Sequence, residues 1–223
     1  MTERSPTQHP GRLLAALCLA MLAAAGCARL GQNGYQEPFA AAGGWGEGET
    51  SEVAGRVEGG VYDLLVKKDY GLFLSTAGRS FGDGVFELDA TQVEGPLNNG
   101  YGLALRVEDA SNTFYAFEVS GDGFVWVGRC ANLCNDEAMT LLGDDWLPSP
   151  AVKQGLQQTN HLRVVAEGEL MTFYVNDILV GRASDGRLTQ GDIGVMVETL
   201  GEGGVRVAFD NVSVAPLAQS EAE

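Results

Sequence analysis

The stretch from Thr113 to Gly128 reads TFYAFEVSGDGFVWVG and contains the clearest structural signal in the chain. Aromatic and β-branched residues, which favour extended backbone, fill both of its halves. The segment between them, Ser120-Gly121-Asp122-Gly123, has glycines that suit the positive φ angles of a tight hairpin turn. The stretch therefore predicts two antiparallel strands joined by that turn.

Runs of the same kind continue on both sides of this hairpin, and Gly, Asn and Asp separate them. Strands are predicted at residues 61–66, 72–74, 85–91, 101–107, 113–119, 124–128, 161–166, 170–175, 178–182, 193–198 and 205–214. The irregular stretch 141–155 is predicted to cross between two sheets. One two-layer all-β sandwich is expected, because two smaller domains would each have a marginal core.

Composition sets limits on both fold and function. Of the 223 residues 45% are apolar, which is enough for a packed core, and 31 are glycines, which fits many tight turns. Asp and Glu number 30 against 14 Lys and Arg, for a formal net charge of −16. A surface this acidic repels phosphate backbones, so nucleic-acid binding is excluded from the predicted functions.

The N-terminal residues have the pattern of an export signal. Arg4 and Arg12 precede an apolar run from Leu13 to Ala25, which is shorter than the roughly 20 residues of a membrane-spanning helix. The end of this run, LAAAGC, places small residues directly before Cys27 and resembles the lipobox of bacterial lipoproteins. An ordinary signal peptide, with Cys27 incidental, is the alternative.

The lipobox resemblance implies cleavage before Cys27, acylation of that cysteine, and a protein that is exported and lipid-anchored to the bacterial cell envelope. The resulting organisation is a signal peptide at 1–26, the lipidated cysteine and a tether at 27–36, the sandwich at 37–216 and an acidic tail at 217–223. Once Cys18 and Cys27 are accounted for, Cys130 and Cys134 remain, and an exported chain with one close pair predicts a disulfide. Half of a metal site is the alternative, but no second cysteine pair exists to complete it.

Several segments together resemble the concanavalin A-like jelly-roll superfamily. They are YGLALR at 101–106, FYAFEVSGDG at 114–123, NHLRV at 160–164, FYVND at 173–177, GDIGV at 191–195 and FDNVSV at 209–214. The nearest patterns are those of laminin-G-like and 3-keto-disaccharide hydrolase type (DUF1080-like) domains of exported bacterial proteins. The resemblance implies a two-sheet antiparallel jelly roll with glycans on the concave face of one sheet. It does not choose among lectins, glycosidases and adhesion modules.

Strand alternation gives candidate ligand-binding residues. It predicts that Glu87, Asp89, Arg106 and Glu118 point away from the core, and they would share one exposed face if their strands are neighbours. Trp126 is the candidate aromatic platform for a sugar ring. Other aromatic residues that could stack on a sugar are Phe114, Phe124, Trp146 and Tyr174.

Glu87 and Asp89 are also candidate acid/base residues. They resemble the start of the strand motif E-x-D-x-E or E-x-D-x-x-E of laminarinase-type glycoside hydrolases, but Thr91 or Gln92 stands where the last carboxylate belongs. No cofactor is predicted, but calcium is possible, because carboxylates in loops and at strand ends offer the oxygen ligands that it takes. These carboxylates are Asp122, Asp136, Asp144, Asp145, Asp192 and Asp210.

The first functional hypothesis is a membrane-anchored sandwich that binds a carbohydrate or another cell-envelope component without catalysis. The second is a glycoside or 3-keto-disaccharide hydrolase that uses Glu87 and Asp89. The third is a structural or adhesion module that binds a protein partner.

Overall fold

The computed structural model describes residues 34–41 and 44–218. Sixteen strands and no helix occur in this part of the chain. They are β1 (Tyr35–Glu37), β2 (Gly48–Glu49), β3 (Val53–Glu58), β4 (Val61–Val66), β5 (Gly71–Phe81), β6 (Gly84–Glu94), β7 (Gly100–Glu108), β8 (Thr113–Ser120), β9 (Phe124–Ala131), β10 (Glu137–Thr140), β11 (Leu147–Pro148), β12 (Thr159–Glu167), β13 (Leu170–Val175), β14 (Ile178–Ser184), β15 (Gly191–Thr199) and β16 (Val205–Ala215). The predicted signal peptide and Cys27 lie outside the described residues, as do most of the predicted tether and the end of the acidic tail.

The strands form two antiparallel sheets. Sheet A has the order β14-β13-β12-β6-β16-β4-β3-β2, with β1 also paired to β16. Sheet B has the order β10-β9-β8-β7-β15-β5, with β11 also paired to β9. The predicted all-β, two-sheet architecture is confirmed.

The core lies between the two sheets and follows the predicted alternation. Phe86, Leu88 and Ala90 of β6 are fully buried, and the rings of Phe117 in sheet B and Phe173 in sheet A meet across the core at 5.2 Å. Each predicted strand is present, most of them longer than expected. The short strands β1, β2, β10 and β11, and the six-residue β3, were not predicted.

Two connections behave as predicted. Gly123, in the turn between β8 and β9, has φ 101°, as the hairpin signal requires. The segment between β10 and β12 pairs briefly with sheet B through β11 and then enters sheet A at β12, so it does cross between the sheets. Cys130, near the end of β9, forms the predicted disulfide with Cys134. No helix in the described residues is long and apolar enough to span a bilayer.

The predicted exposure of Arg106 is wrong. The pairing of β7 with β8 shifts register between Leu105 and Glu108, and Arg106 itself has φ 51°. Such a bulge adds a residue to one strand and reverses the alternation beyond it. The Arg106 side chain is consequently 1% exposed, while Val107 packs into a second apolar cluster outside the main core.

The predicted shared face is also wrong. β6, which contains Glu87 and Asp89, pairs with β12 and β16 in sheet A, whereas Glu118 belongs to β8 in sheet B. Glu118 does point away from the core, but it is completely buried there. The outer face of sheet B is itself covered by side chains.

Candidate functional site

The outer face of sheet B is lined by small residues and covered by larger ones. Ala104 and Ala116 are fully buried in an apolar cluster that also contains Trp126, against which Trp146 packs. The Trp126 ring lies against Gly128, and its Nε1 donates a hydrogen bond to Thr140 Oγ1 at 3.3 Å. Trp126 is only 9% exposed, so it packs within the protein and does not present a free platform.

A cavity of about 250 Å³ lies at one end of this face. Its walls come from the β8–β9 hairpin, the loops before β7 and after β15, and the segment between β10 and β11. Two of the aromatic residues singled out as possible sugar contacts, Phe124 and Trp146, meet here beside a carboxylate, an amide and a hydroxyl. The lining residues are Asn98, Ser120, Asp122, Phe124, Trp146 and Leu200.

Hydrogen bonds fix the hairpin side of the cavity. Ser120 Oγ donates to Asp122 Oδ1 at 2.5 Å and accepts from the Phe124 amide at 3.0 Å. The segment that contains Trp146 is tied to the same hairpin, because the Ser149 amide donates to the Gly123 carbonyl at 2.9 Å. The backbone around the cavity is therefore held in place before any ligand binds.

The opposite wall is held as firmly. The Leu200 amide donates to Asn99 Oδ1 at 2.8 Å, and Asn99 Nδ2 donates to the Pro96 carbonyl at 2.9 Å. These bonds connect the loop before β7 to the loop after β15. Asn98 and Leu200, on the two loops, are exposed at the cavity rim.

Two carboxylates lie on strands that run next to the cavity: Glu118 is fully buried and Glu198 is half-buried. Glu198 pairs in register with Gly100 of β7, and Glu118 pairs with Gly102 on the other side of that strand. A Cβ atom built on Gly100 would lie 2.6 Å from Glu118 Oε1 and 3.1 Å from the Trp146 ring. Glycine at this position thus leaves the space that the carboxylate and the indole occupy.

The environment of this carboxylate pair disfavours charge. Burial raises the pKa of Glu118 well above its ordinary value, and the neighbouring Glu198 raises it further. Burial also raises the pKa of Glu198. Neither oxygen of Glu118 has a hydrogen-bond partner in the part of the chain that the structure describes.

The candidate acid/base residues form a separate cluster on the outer face of sheet A. Asp89 Oδ1 lies 2.8 Å from His161 Nδ1, and Asp89 Oδ2 accepts from Asn211 Nδ2 at 2.8 Å. Glu87 Oε1 lies 3.7 Å from His161 Nε2 and 3.9 Å from Arg163 Nε. Arg106 is not near these carboxylates; Arg163 and His161 are the basic side chains beside them.

The two ends of the Asp89–His161 pair stabilise each other's charge. The hydrogen bond to His161 lowers the pKa of Asp89, and the hydrogen bond to Asp89 raises the pKa of His161. Both oxygens of Asp89 are engaged, which makes it an ion-paired carboxylate and a poor proton donor. Arg163 lies 4.0 Å over the ring of Tyr174 and occupies one face of that aromatic residue.

Three of the six carboxylates suggested for calcium, Asp122, Asp192 and Asp210, accept hydrogen bonds within the protein. Asp192 accepts from the Gly78 amide at 2.7 Å and the Arg79 amide at 3.0 Å, and Asp210 accepts from the Asn211 amide at 2.7 Å. Among the described residues no group of three or more His, Cys, Asp or Glu could hold a metal ion. Calcium binding stays a prediction.

Sequence reasoning missed Glu198 and the contact between Asp89 and His161. Alternation along 193–198 could have placed Glu198 on the same side as Met196, away from the core. The contact of Asp89 with His161 depends on the pairing of β6 with β12, whose positions are 72 residues apart in the chain. No local pattern contains that information.

The fold and this site define a jelly-roll β-sandwich with an aromatic-lined cavity at one end. No protein-family model matches the chain, and no curated protein sequence matches it. Solved structures do match. The carbohydrate binding module CBM66 from Bacillus subtilis has a TM-score of 0.59 at 22% identity, covering 77% of this chain and 96% of that chain.

Two glucanases have comparable TM-scores at lower sequence identity. A prokaryotic β-1,3-1,4-glucanase (lichenase) derived from a mouse hindgut metagenome has a TM-score of 0.59 at 11% identity, covering 82% of this chain and 99% of that chain. The Bacillus licheniformis β-glucanase has a TM-score of 0.57 at 12% identity, covering 82% and 97%. These similarities confirm the concanavalin A-like jelly-roll fold.

Proposed function

We propose that this chain is an exported, lipid-anchored protein whose β-sandwich binds a carbohydrate in the end cavity without catalysis. The observation that carries the proposal is the composition of the cavity wall. Trp146 and Phe124 offer apolar ring faces, while Asn98, Asp122 and Ser120 offer hydrogen-bonding groups. Sugars present both kinds of surface, an apolar C–H face and a rim of hydroxyls.

The size of the cavity limits what it can enclose. Pockets for drug-sized ligands measure roughly 300–1,000 Å³, and this cavity is smaller at about 250 Å³. It therefore suits one sugar unit at a chain end or branch better than an enclosed oligosaccharide. Support also comes from the similar structures, one of which is a carbohydrate binding module.

Trp146→Ala tests the cavity. We expect it to weaken glycan binding at least about tenfold, since truncating a central aromatic residue of a binding site typically costs about 2 kcal/mol or more. A glycan array with the full chain in detergent identifies the ligand, and titration calorimetry measures the loss. Tyr174→Ala is the matched control, because it removes an aromatic ring from the outer face of the opposite sheet.

Three outcomes would contradict parts of this proposal. Unchanged affinity in Trp146→Ala would reject the cavity as the site. Binding to no glycan on a broad array would reject carbohydrate recognition. Release of reducing ends from the bound glycan would contradict a role without catalysis, and Glu87→Gln would then be the first catalytic variant.

The anchoring part of the proposal rests on the lipobox-like segment that ends at Cys27. Cys27→Ala removes the only thiol that can receive the lipid in that motif, and we expect the protein to move from the membrane fraction to the soluble fraction. Fractionation with metabolic labelling by a radioactive fatty acid measures both changes. A variant that stays labelled and membrane-bound would exclude Cys27 as the anchor.

A further inference from the structure

Glu118, on the outer face of sheet B, is unusual because its carboxylate is fully buried and has no hydrogen-bond partner among the described residues. A fully buried carboxylate usually accepts hydrogen bonds from donors around it, because an unsatisfied buried polar group destabilises the fold. Within the described residues, neither Glu118 oxygen has such a donor, and the nearby half-buried acid Glu198 raises the penalty. A buried carboxylate without a donor, next to a second carboxylate, is suited to a positively charged partner.

The two acids do not line the cavity, but each is close in the chain to a residue that does. Glu118 is two residues before Ser120 on β8, and Glu198 is two residues before Leu200, so each Cα is about 7 Å from that of a wall residue. Trp146 lies between the cavity and the carboxylate pair, because its side chain lines the cavity and its ring also lies against Gly100 beside Glu118.

The chemistry of the surroundings favours an organic cation over a metal ion. Calcium takes six to eight oxygen ligands, and Met196 and Trp126, which flank the pair, supply none. An ammonium group needs only a few acceptors for its three N–H bonds, and an indole face attracts it further. Exposed Asp144 and Asp145, directly before Trp146, give the approach to the site a negative potential.

We propose that Glu118 and Glu198 bind the ammonium group of an amino sugar, so that the glycan recognised by this protein carries a free amine. This inference rests on the proposed carbohydrate function and names its ligand class. The sugar ring stacks on Trp146 in the cavity while its amine reaches the two carboxylates past Gly100. The Trp146 ring lies against Gly100 beside Glu118, so this binding mode requires the ring to move aside while the backbone between β10 and β11 stays in place.

Matched glycans test the inference directly. The full chain in detergent is titrated with β-1,4-linked tetramers of glucosamine, N-acetylglucosamine and glucose, and with corresponding free-amine and N-acetyl pairs of any other glycan bound on the array. We expect the free amine to bind about tenfold or more tightly than its N-acetyl and hydroxyl counterparts, which is the usual scale of a charge-assisted contact.

Variants separate the carboxylates from general surface charge. Glu118→Gln and Glu198→Gln should each bring the ratio of amine to N-acetyl affinity close to one. Glu202→Gln removes an exposed charge in the loop after β15 and should leave that ratio as it is in the parent chain.

Equal affinity for amine and N-acetyl glycans would overturn the inference while leaving carbohydrate binding intact. A preference for the amine that survives both glutamine variants would overturn the role of this pair. Failure to bind any glycan would overturn the proposed function and the inference with it.

Discussion

Replacing Arg106 with methionine is expected to lower the free energy of unfolding by about 2–4 kcal/mol. The guanidinium donates from Nη1 to the carbonyls of Gly168 and Leu188, and from Nη2 to Asp83 Oδ1, each at 2.9 Å. Arg106 therefore connects sheet B with the β12–β13 turn of sheet A, with the β5–β6 connection between the sheets and with the segment before β15. Methionine fills similar volume but leaves both carbonyls without their donor.

The ion pair of Arg106 with Asp83 contributes less to stability than its distance of 2.9 Å suggests. The Asp83 side chain is 46% exposed, so water can solvate the carboxylate once the guanidinium is gone. Most of the loss should come from the two carbonyls. For that reason Arg106→Lys, which keeps the charge but cannot direct donors to three groups at once, should also be clearly destabilised.

Urea denaturation with linear extrapolation measures the effect. Arg56→Met is the matched control, since Arg56 is 54% exposed in pairs with Glu58 and Asp63, and its loss should change stability by less than about 1 kcal/mol. If Arg106→Met unfolds at the same urea concentration as Arg56→Met, the buried guanidinium does not hold the two sheets together.

The example of Arg106 shows where sequence reasoning about this fold succeeds and where it stops. Aromatic and β-branched runs with glycine turns are local signals, and they located the strands and the inward side of β6 and β8. Alternation also held for Glu118, which does point away from the core. It failed at Arg106 because a bulge is created by how β7 pairs with β8, and a bulge leaves no clear mark in one strand's sequence.

The candidate site depends still more on long-range contacts. Phe124 and Trp146 could be identified as possible sugar contacts, but their meeting at one cavity requires the crossing segment to fold back on the β8–β9 hairpin. The burial of Glu118 has the same origin, because Trp146 arrives from that segment. Asp89 and His161 meet only through the pairing of β6 with β12.

Glu118→Gln should make the protein more stable at pH 8, by about 1–3 kcal/mol. Glutamine has nearly the shape of the protonated acid and never carries the buried charge. At high pH the parent chain must either bury a charged Glu118 beside Glu198 or keep Glu118 protonated at a pH where the unfolded chain would lose that proton. Each alternative lowers the free energy of unfolding. The variant is free of both penalties.

The sign of the pH dependence follows from the direction of the pKa shift. Folding raises the pKa of Glu118 above its ordinary value of 4.5, so between these two values the folded chain holds more protons than the unfolded chain. The contribution of Glu118 to the stability of the parent chain therefore falls as pH rises above about 4.5, by up to about 1.4 kcal/mol per pH unit for one proton. The advantage of Glu118→Gln should be small near pH 4.5 and should grow towards pH 8.

Comparing the two chains at each pH removes the contributions of other groups. His161, whose pKa is raised by Asp89, also adds stability that is lost as pH rises through its folded pKa, but it does so equally in both chains. Urea midpoints from pH 4.5 to 8 give the difference, and Glu202→Gln should show no such trend. A constant difference across the range would mean that Glu118 does not titrate above its ordinary pKa. A variant less stable at pH 8 would mean that the charged form of Glu118 has a stabilising partner, and the case for an ammonium ligand at this pair would lose its physical basis.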